Sequence, residues 1–200
     1  MSTKSNLTTS NIFMNLESMP ELGPKAVGFR DQSITARDIT TPHDVLRRLS
    51  DSISITVRAS VAKNPMAPVD ILQKLSVDLS NDARFEVAKN PSTPRFILRY
   101  LATDVSGTVR SAVALNGNTP VDILWTLAED LYWPVRRDIL WNTSTPIEIV
   151  TRIFDVENQK NEPECFIIRA VYANKKLPTY LQDVIKTKYQ DIFFYVKGQY

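Results

Sequence analysis

Apolar and polar positions along the chain return to the same pattern every 26 residues. "VAKNPMAPVDIL" begins at Val61, "VAKNPSTPRFIL" at Val87, "VALNGNTPVDIL" at Val113 and "ILWNTSTPIEIV" at Ile139. Leucines recur at Leu46, Leu72, Leu98 and Leu124, and again at Leu49, Leu75, Leu101 and Leu127. Within one copy, Val69, Ile71, Leu72 and Leu75 have the spacing of a single buried helix face, which predicts a helix of about ten residues. A fixed period between roughly 20 and 50 residues marks a solenoid, in which each unit buries its apolar face only against its neighbours.

Turn residues punctuate the pattern in step. Pro42, Pro68, Pro94, Pro120 and Pro146 are 26 apart, and Pro178 follows after an insertion of six. Thr-Pro at 41–42, 93–94, 119–120 and 145–146 reads as a helix start, with Thr as N-cap and Pro in the first turn. Asp44, Asp70, Asp122 and Glu148 would then stand at the third helical position and complete a capping box. A second segment, "DARFEVAKN" or "TVRSAVALN", precedes an Asn at 64, 90, 116, 142 and 174 that ends it. It reads as a short helix, in part 3₁₀. Each unit is therefore expected to hold a long helix, a tight turn, a short helix and another turn. The strand pattern L-x-x-L-x-L-x-x-N is missing, and the fold class expected is all-α.

Residues 1–30 are rich in Ser, Thr and Asn and read as a flexible N-terminal tail, with Ile12–Leu16 as a segment able to dock. The helical repeat is expected over 31–190, its last unit diverging after "DVENQKNEPECF" as a terminal cap does. Residues 191–200, "DIFFYVKGQY", form an aromatic C-terminal tail, read either as packing over the last helix or as a surface for self-association.

The recurring "L-x-x-D-x-x-x-x-V-R-x-x-V-A-x-N-P-x-T-P-x-x-I-L" resembles the variant leucine-rich repeats of bacteria, and its Asp-to-Arg spacing of six is similar to that of HEAT repeats. The likeness covers about residues 35–180. It implies a right-handed α-solenoid of five to six 26-residue units, with an Asp–Arg ladder along the stacked turns. The cysteine cluster that holds an iron–sulfur centre in a member of the first family has no counterpart in this sequence.

Composition narrows the function classes. The chain has 24 Lys+Arg against 22 Asp+Glu, a formal charge of +2. Between Thr41 and Val150 basic and acidic residues number twelve each. A non-specific nucleic-acid binder carries a bulk basic excess, because neutralising phosphates supplies its affinity. One cysteine and one histidine exclude an internal disulfide framework and any Cys- or His-built metal site. No cofactor is expected. The same pair, with only five glycines and no phosphate-cradling loop, leaves nothing to assemble a nucleophile or relay, so no enzyme is expected. No apolar run is long enough to span a bilayer and no signal peptide opens the chain, so a cytoplasmic protein without membrane partners is expected.

The candidate sites follow from the columns. Arg58, Arg84, Arg110 and Arg136 form either a guanidinium stripe for phosphates or, as the HEAT likeness implies, structural pairs Asp78–Arg84, Asp104–Arg110 and Asp130–Arg136. The Asn column is read as helix-ending and structural. Positions that vary between copies are where a partner can be recognised: Lys63, Lys89, Leu115 and Trp141 in one column, Arg47, Gln73, Arg99 and Trp125 in another. Trp125, Tyr132, Trp133 and Trp141, with Lys63 and Lys89, are the candidate protein-binding residues. The other reading has Trp125 and Trp141 filling gaps between the fourth and fifth units. Arg47, Arg48, Lys74, Arg99 and Arg152 are the candidates for a nucleic-acid backbone, or a solvated helix face. The function expected is a protein-binding scaffold, adaptor or regulator, with a DNA- or RNA-binding superhelix as the alternative.

Overall fold

A computed structural model describes residues 28–194. The tail expected before residue 28, including Ile12–Leu16, and the chain end from 195 to 200 lie outside the described residues. Within them the chain is all-helical, with thirteen α-helices and neither strand nor 3₁₀ segment.

Six helices of nine residues each form one row: α1 (Phe29–Arg37), α3 (Ile55–Lys63), α5 (Asn81–Lys89), α7 (Gly107–Leu115), α9 (Trp133–Trp141) and α11 (Cys165–Ala173). Each packs against the next in this row. Alternating with them are α2 (His43–Leu49), α4 (Val69–Leu75), α6 (Arg95–Leu101) and α8 (Val121–Leu127), of seven residues each, then α10 (Ile147–Asn158) and α12 (Thr179–Lys188). A last helix, α13 (Gln190–Phe194), packs on α11 and α12. The core lies between the rows. Leu46, Leu72, Leu98 and Leu124 of the even-numbered row are wholly buried, and so are Val57, Val61, Val87, Val109, Val113, Val135 and Ile139 of the odd-numbered row. Sequence and packing thus repeat together, because each helix pair finishes its core with the pair that follows.

Three sequence expectations are corrected. The long and short helices are exchanged in the first four pairs: the proline-led helix has seven residues and the second helix nine. The proline-led helix stops early because the chain turns at Asp78, Asp104 and Asp130, whose carboxylates accept the amides of Ser80, Ser106 and Tyr132. That turn delivers Ser80, Ser106 and Tyr132 as N-caps, so the next helix begins at Asn81, Gly107 and Trp133, the first two one residue before the start read from sequence.

The second correction concerns the cap. Proline itself is the N-cap: Pro68 has φ −60° and ψ 153°, and its carbonyl accepts the first helical bonds from Ile71 and Leu72. The preceding Thr faces the other way. Thr93 Oγ1 donates to Val87 O at 2.6 Å, Thr119 Oγ1 to Val113 O at 2.6 Å and Thr145 Oγ1 to Ile139 O at 2.7 Å, satisfying carbonyls at the end of the previous helix. Asp44, Asp70, Asp122 and Glu148 consequently stand at the second helical position, where no capping box closes. Their charge still meets the positive end of the helix dipole.

The third correction is to the ladder. Arg84 does not pair with the Asp78 carboxylate six residues earlier. It donates to the Asp78 carbonyl at 2.8 Å and forms a bidentate pair with Asp104, 20 residues later, at 2.6 and 3.0 Å. Arg58–Asp78 and Arg110–Asp130 repeat this geometry, and Arg136 closes on Glu157. Each Asp side chain is pinned by the amide two residues on, so it faces the preceding unit. Pairing across units also explains where the ladder starts. Gln32 stands 26 residues before Arg58 and Ser52 stands 20 residues after Gln32, so both members of an earlier pair are missing together.

A parallel ladder of amides runs beside it. Asn90 Nδ2 donates to Ala62 O at 2.7 Å and to Asn64 O at 2.8 Å, and its Oδ1 accepts the Ser92 amide at 2.8 Å. Asn64, Asn116 and Asn142 each make the same three bonds, all to the unit before and to their own turn.

Candidate partner interface

On α3, α5, α7 and α9, four positions with i, i+3, i+4, i+7 spacing fall along one side of the helix, the i+4 member buried in α3, α7 and α9. In α3 these are Thr56, Ala59, Ser60 and Lys63, and in α5 they are Asp82, Phe85, Glu86 and Lys89. In α7 they are Thr108, Ser111, Ala112 and Leu115, and in α9 Pro134, Arg137, Asp138 and Trp141. Their chemistry changes from pair to pair, whereas the core positions behind them stay aliphatic. Small residues on α3 leave a trough of about 340 Å³, walled by Arg37 and Lys63 on one side and by Asp82, Phe85 and Glu86 on the other. The Lys89 ammonium lies 5.7 Å from the Phe85 ring centre.

Farther along, the face becomes aromatic. Trp133 is half-buried against the core, and Phe166 of α11 stacks on it with ring centres 5.2 Å apart and planes 13° from parallel. The Arg137 guanidinium lies 5.3 Å from the Trp133 ring centre. Asp138, almost fully buried, holds that guanidinium through Nε at 2.8 Å and Nη2 at 2.6 Å, and it also accepts the Ser111 hydroxyl. Arg137 is therefore a pre-positioned cation with one edge fixed and one face against an aromatic ring. Trp141, 57% exposed, and Leu115, 47% exposed, stand at equivalent positions on adjacent helices. Trp, Arg and large apolar groups held in place are the residue types from which binding hot spots are made.

The structure divides the sequence candidates. Lys63, Lys89 and Trp141 occupy one column at the C-terminal ends of α3, α5 and α9, and Trp133 lies on the same helix as Trp141. Trp125 does not join them. It sits on α8, in the other row, at the position equivalent to Arg47 and Arg99. Tyr132 is the N-cap of α9 and leans on the first residue of α7, where a Cβ added to Gly107 would lie 2.4 Å from the ring. Glycine is required there by a close approach.

The basic candidates all face carboxylates. Arg47 pairs with Asp70 at 2.9 Å, Lys74 with Asp51 at 2.5 Å, Arg99 with Asp122 at 2.5 Å and Arg152 with Glu129 at 3.0 Å, each across two units. Arg48 approaches Asp44 of its own helix at 3.7 Å. The ladder arginines are likewise occupied, and their partners are shifted accordingly. The hydrogen bond from Arg58 holds the Asp78 carboxyl below the usual range against the opposing effect of burial. For Asp104, Asp130 and Glu157 burial is the largest influence and pushes upward. Hydrogen bonds from Arg84, Arg110 and Lys160, respectively, and from backbone amides outweigh it, and all three are lowered.

Sequence reasoning missed two sets of residues. Phe166, Arg137 and Asp138 gave no periodic signal because they belong to positions that vary. The second set is periodic and was passed over: Ile53, Leu79, Val105 and Leu131, 26 apart, each in the turn before an odd-numbered helix, are 74%, 100%, 94% and 97% exposed. Periodicity alone does not separate a core column from an exposed one, and only the fold shows these side chains in solvent.

No protein-family model, curated protein or solved structure matches this chain.

Proposed function

We propose that the chain is a right-handed α-solenoid of five to six 26-residue units, of the variant leucine-rich or HEAT-like kind, acting in the cytoplasm as a non-catalytic scaffold that binds another protein. The observation that carries this reading is the Trp133–Phe166–Arg137 stack beside Trp141 and Leu115. It puts exposed aromatic and apolar area next to a cation already fixed by Asp138, so a partner meets a rigid surface and little side-chain entropy is lost on binding. The pairing of Arg47, Lys74, Arg99 and Arg152 with carboxylates favours a protein over a nucleic-acid partner, since it leaves these helices without the unopposed positive charge on which phosphate binding draws.

The test is capture with the tagged full chain from extracts of its own cell, followed by titration of the captured protein. Trp141→Ala and Arg137→Ala should each weaken binding at least about tenfold, whereas Arg47→Ala and Lys74→Ala should leave it nearly unchanged. A gel shift on duplex and single-stranded DNA that disappears with added salt and with the basic residues would instead establish the nucleic-acid role.

A further inference from the structure

The last residues of α1, α3, α5, α7 and α9 are Arg37, Lys63, Lys89, Leu115 and Trp141, and all five are exposed. The amide ladder holds them in one line. Asn64 bonds Ala36 O and Asp38 O, the carbonyls on either side of Arg37, and Asn90 bonds those on either side of Lys63. Asn116 and Asn142 do the same around Lys89 and Leu115. Each member is thus fixed against the next across five successive helices.

The line changes character once, between Lys89 and Leu115. Its first three members are cations and its last two are large apolar groups. These cations differ from those of the even-numbered row and the ladder, which face carboxylates. Among the described residues no carboxylate forms an ion pair with Arg37, Lys63 or Lys89. Arg37 Nε donates to Ser60 Oγ at 3.2 Å, a neutral partner that orients the guanidinium without cancelling its charge. Beside this half lie two open troughs, of about 520 Å³ between α1 and α3 and about 340 Å³ between α3 and α5, which share Arg37 and Thr56.

We infer that the partner is recognised through an extended segment, acidic in one half and apolar or aromatic in the other, laid along this line. The inference rests on the reading of the chain as a protein-binding scaffold. Acidic side chains meet the unopposed charge of Arg37, Lys63 and Lys89, and apolar ones meet Leu115 and Trp141. Helices packed about 8–10 Å apart put four steps at about 32–40 Å. An extended chain covers that distance with about ten to twelve residues. A nucleic acid fits the line less well, because its charge is uniform along the strand while the cations stop at Lys89. Asp82 and Glu86, on the far wall of the second trough, would also repel its phosphates.

The experiment pans a displayed library of random twelve-residue peptides on the immobilised full chain, then titrates the most enriched peptide by fluorescence anisotropy. Enriched peptides should share an acidic block and an apolar block in one constant order. Lys63→Gln/Lys89→Gln should weaken the chosen peptide at least about tenfold and, when panned itself, should lose the acidic block and keep the apolar one. Lys74→Gln, which removes a cation already paired with Asp51, should leave the titration unchanged. Both lysines of the double variant are exposed, and far-ultraviolet circular dichroism and the melting temperature verify that its fold is kept. Enrichment of peptides without an acidic block, or of none, overturns the inference. A twelve-nucleotide oligothymidylate that binds more tightly than the peptide, with the same dependence on Lys63 and Lys89, overturns it too and assigns the line to nucleic acid. Apolar peptides that bind through Trp141 alone would overturn the inference and leave the protein-binding reading standing. That reading fails separately, if capture does not respond to Trp141→Ala and Arg137→Ala.

Discussion

Arg84 and Asp104 belong to different repeats and are joined by two parallel bonds, Nε to Oδ2 at 2.6 Å and Nη2 to Oδ1 at 3.0 Å, while the third guanidinium nitrogen holds the Asp78 carbonyl at 2.8 Å. One side chain thus ties the turn before its own helix to the turn after the next. The side chains of the pair are 13% and 6% exposed, so water screens it little.

Replacing Asp104 with Asn should therefore destabilise the protein by about 2–4 kcal/mol, since a partly buried guanidinium loses its counter-charge. Arg84→Lys should cost a similar amount, because an ammonium cannot reproduce the planar two-point contact. Urea unfolding midpoints, at an unchanged m-value, measure both.

The same carboxylates set the acid limit of stability. Asp78, Asp104, Asp130 and Glu157 are all lowered in the fold. A lowered carboxyl contributes stability that is fully present above its unfolded value, near 4, and lost as pH falls through its folded value. The melting temperature should stay level from neutral pH down to about 5 and fall steeply below about 4. In Asp104→Asn the drop should be shallower, and an equal slope in both proteins would assign acid sensitivity to other groups.

Asn90 is tested by an isosteric change. Its amide nitrogen donates to two carbonyls of the preceding unit. In Asn90→Asp the oxygen that replaces it faces both carbonyls without a proton to give, so the loss should exceed that of Asn90→Ala, for which we expect about 2–3 kcal/mol. Amide hydrogen exchange should quicken at the α3–α5 junction before it does elsewhere.

Gly107 and Tyr132 should be coupled. Gly107→Ala improves helix propensity by up to about 1 kcal/mol but drives a methyl into the Tyr132 ring. The single variant should be destabilised by about 1–2 kcal/mol, and in a Tyr132→Ala background the same substitution should be neutral or stabilising. A double-mutant cycle of denaturation midpoints reads the coupling directly.

The sequence by itself determined the all-helical class, the 26-residue step and the leucine columns of the core. Those depend on near-neighbour spacing along one chain, where a helix brings i, i+3 and i+4 together whatever lies beyond. Val69, read on the same buried face, is 48% exposed because it stands at the first helical position and points out of the stack. The N-cap and helix lengths were misread because a Thr hydroxyl or an Asp carboxylate can satisfy either of two helix ends, and letters alone do not say which way it turns. Only the tertiary structure decided the long-range partners: Arg84 with Asp104 rather than Asp78, Trp133 with Phe166 and Trp125 in the opposite row. It also placed Leu79 and its equivalents in solvent. A repeat keeps a residue type for packing or for exposure alike, and the distinction arises only when successive units stack and cover one column while leaving the other bare.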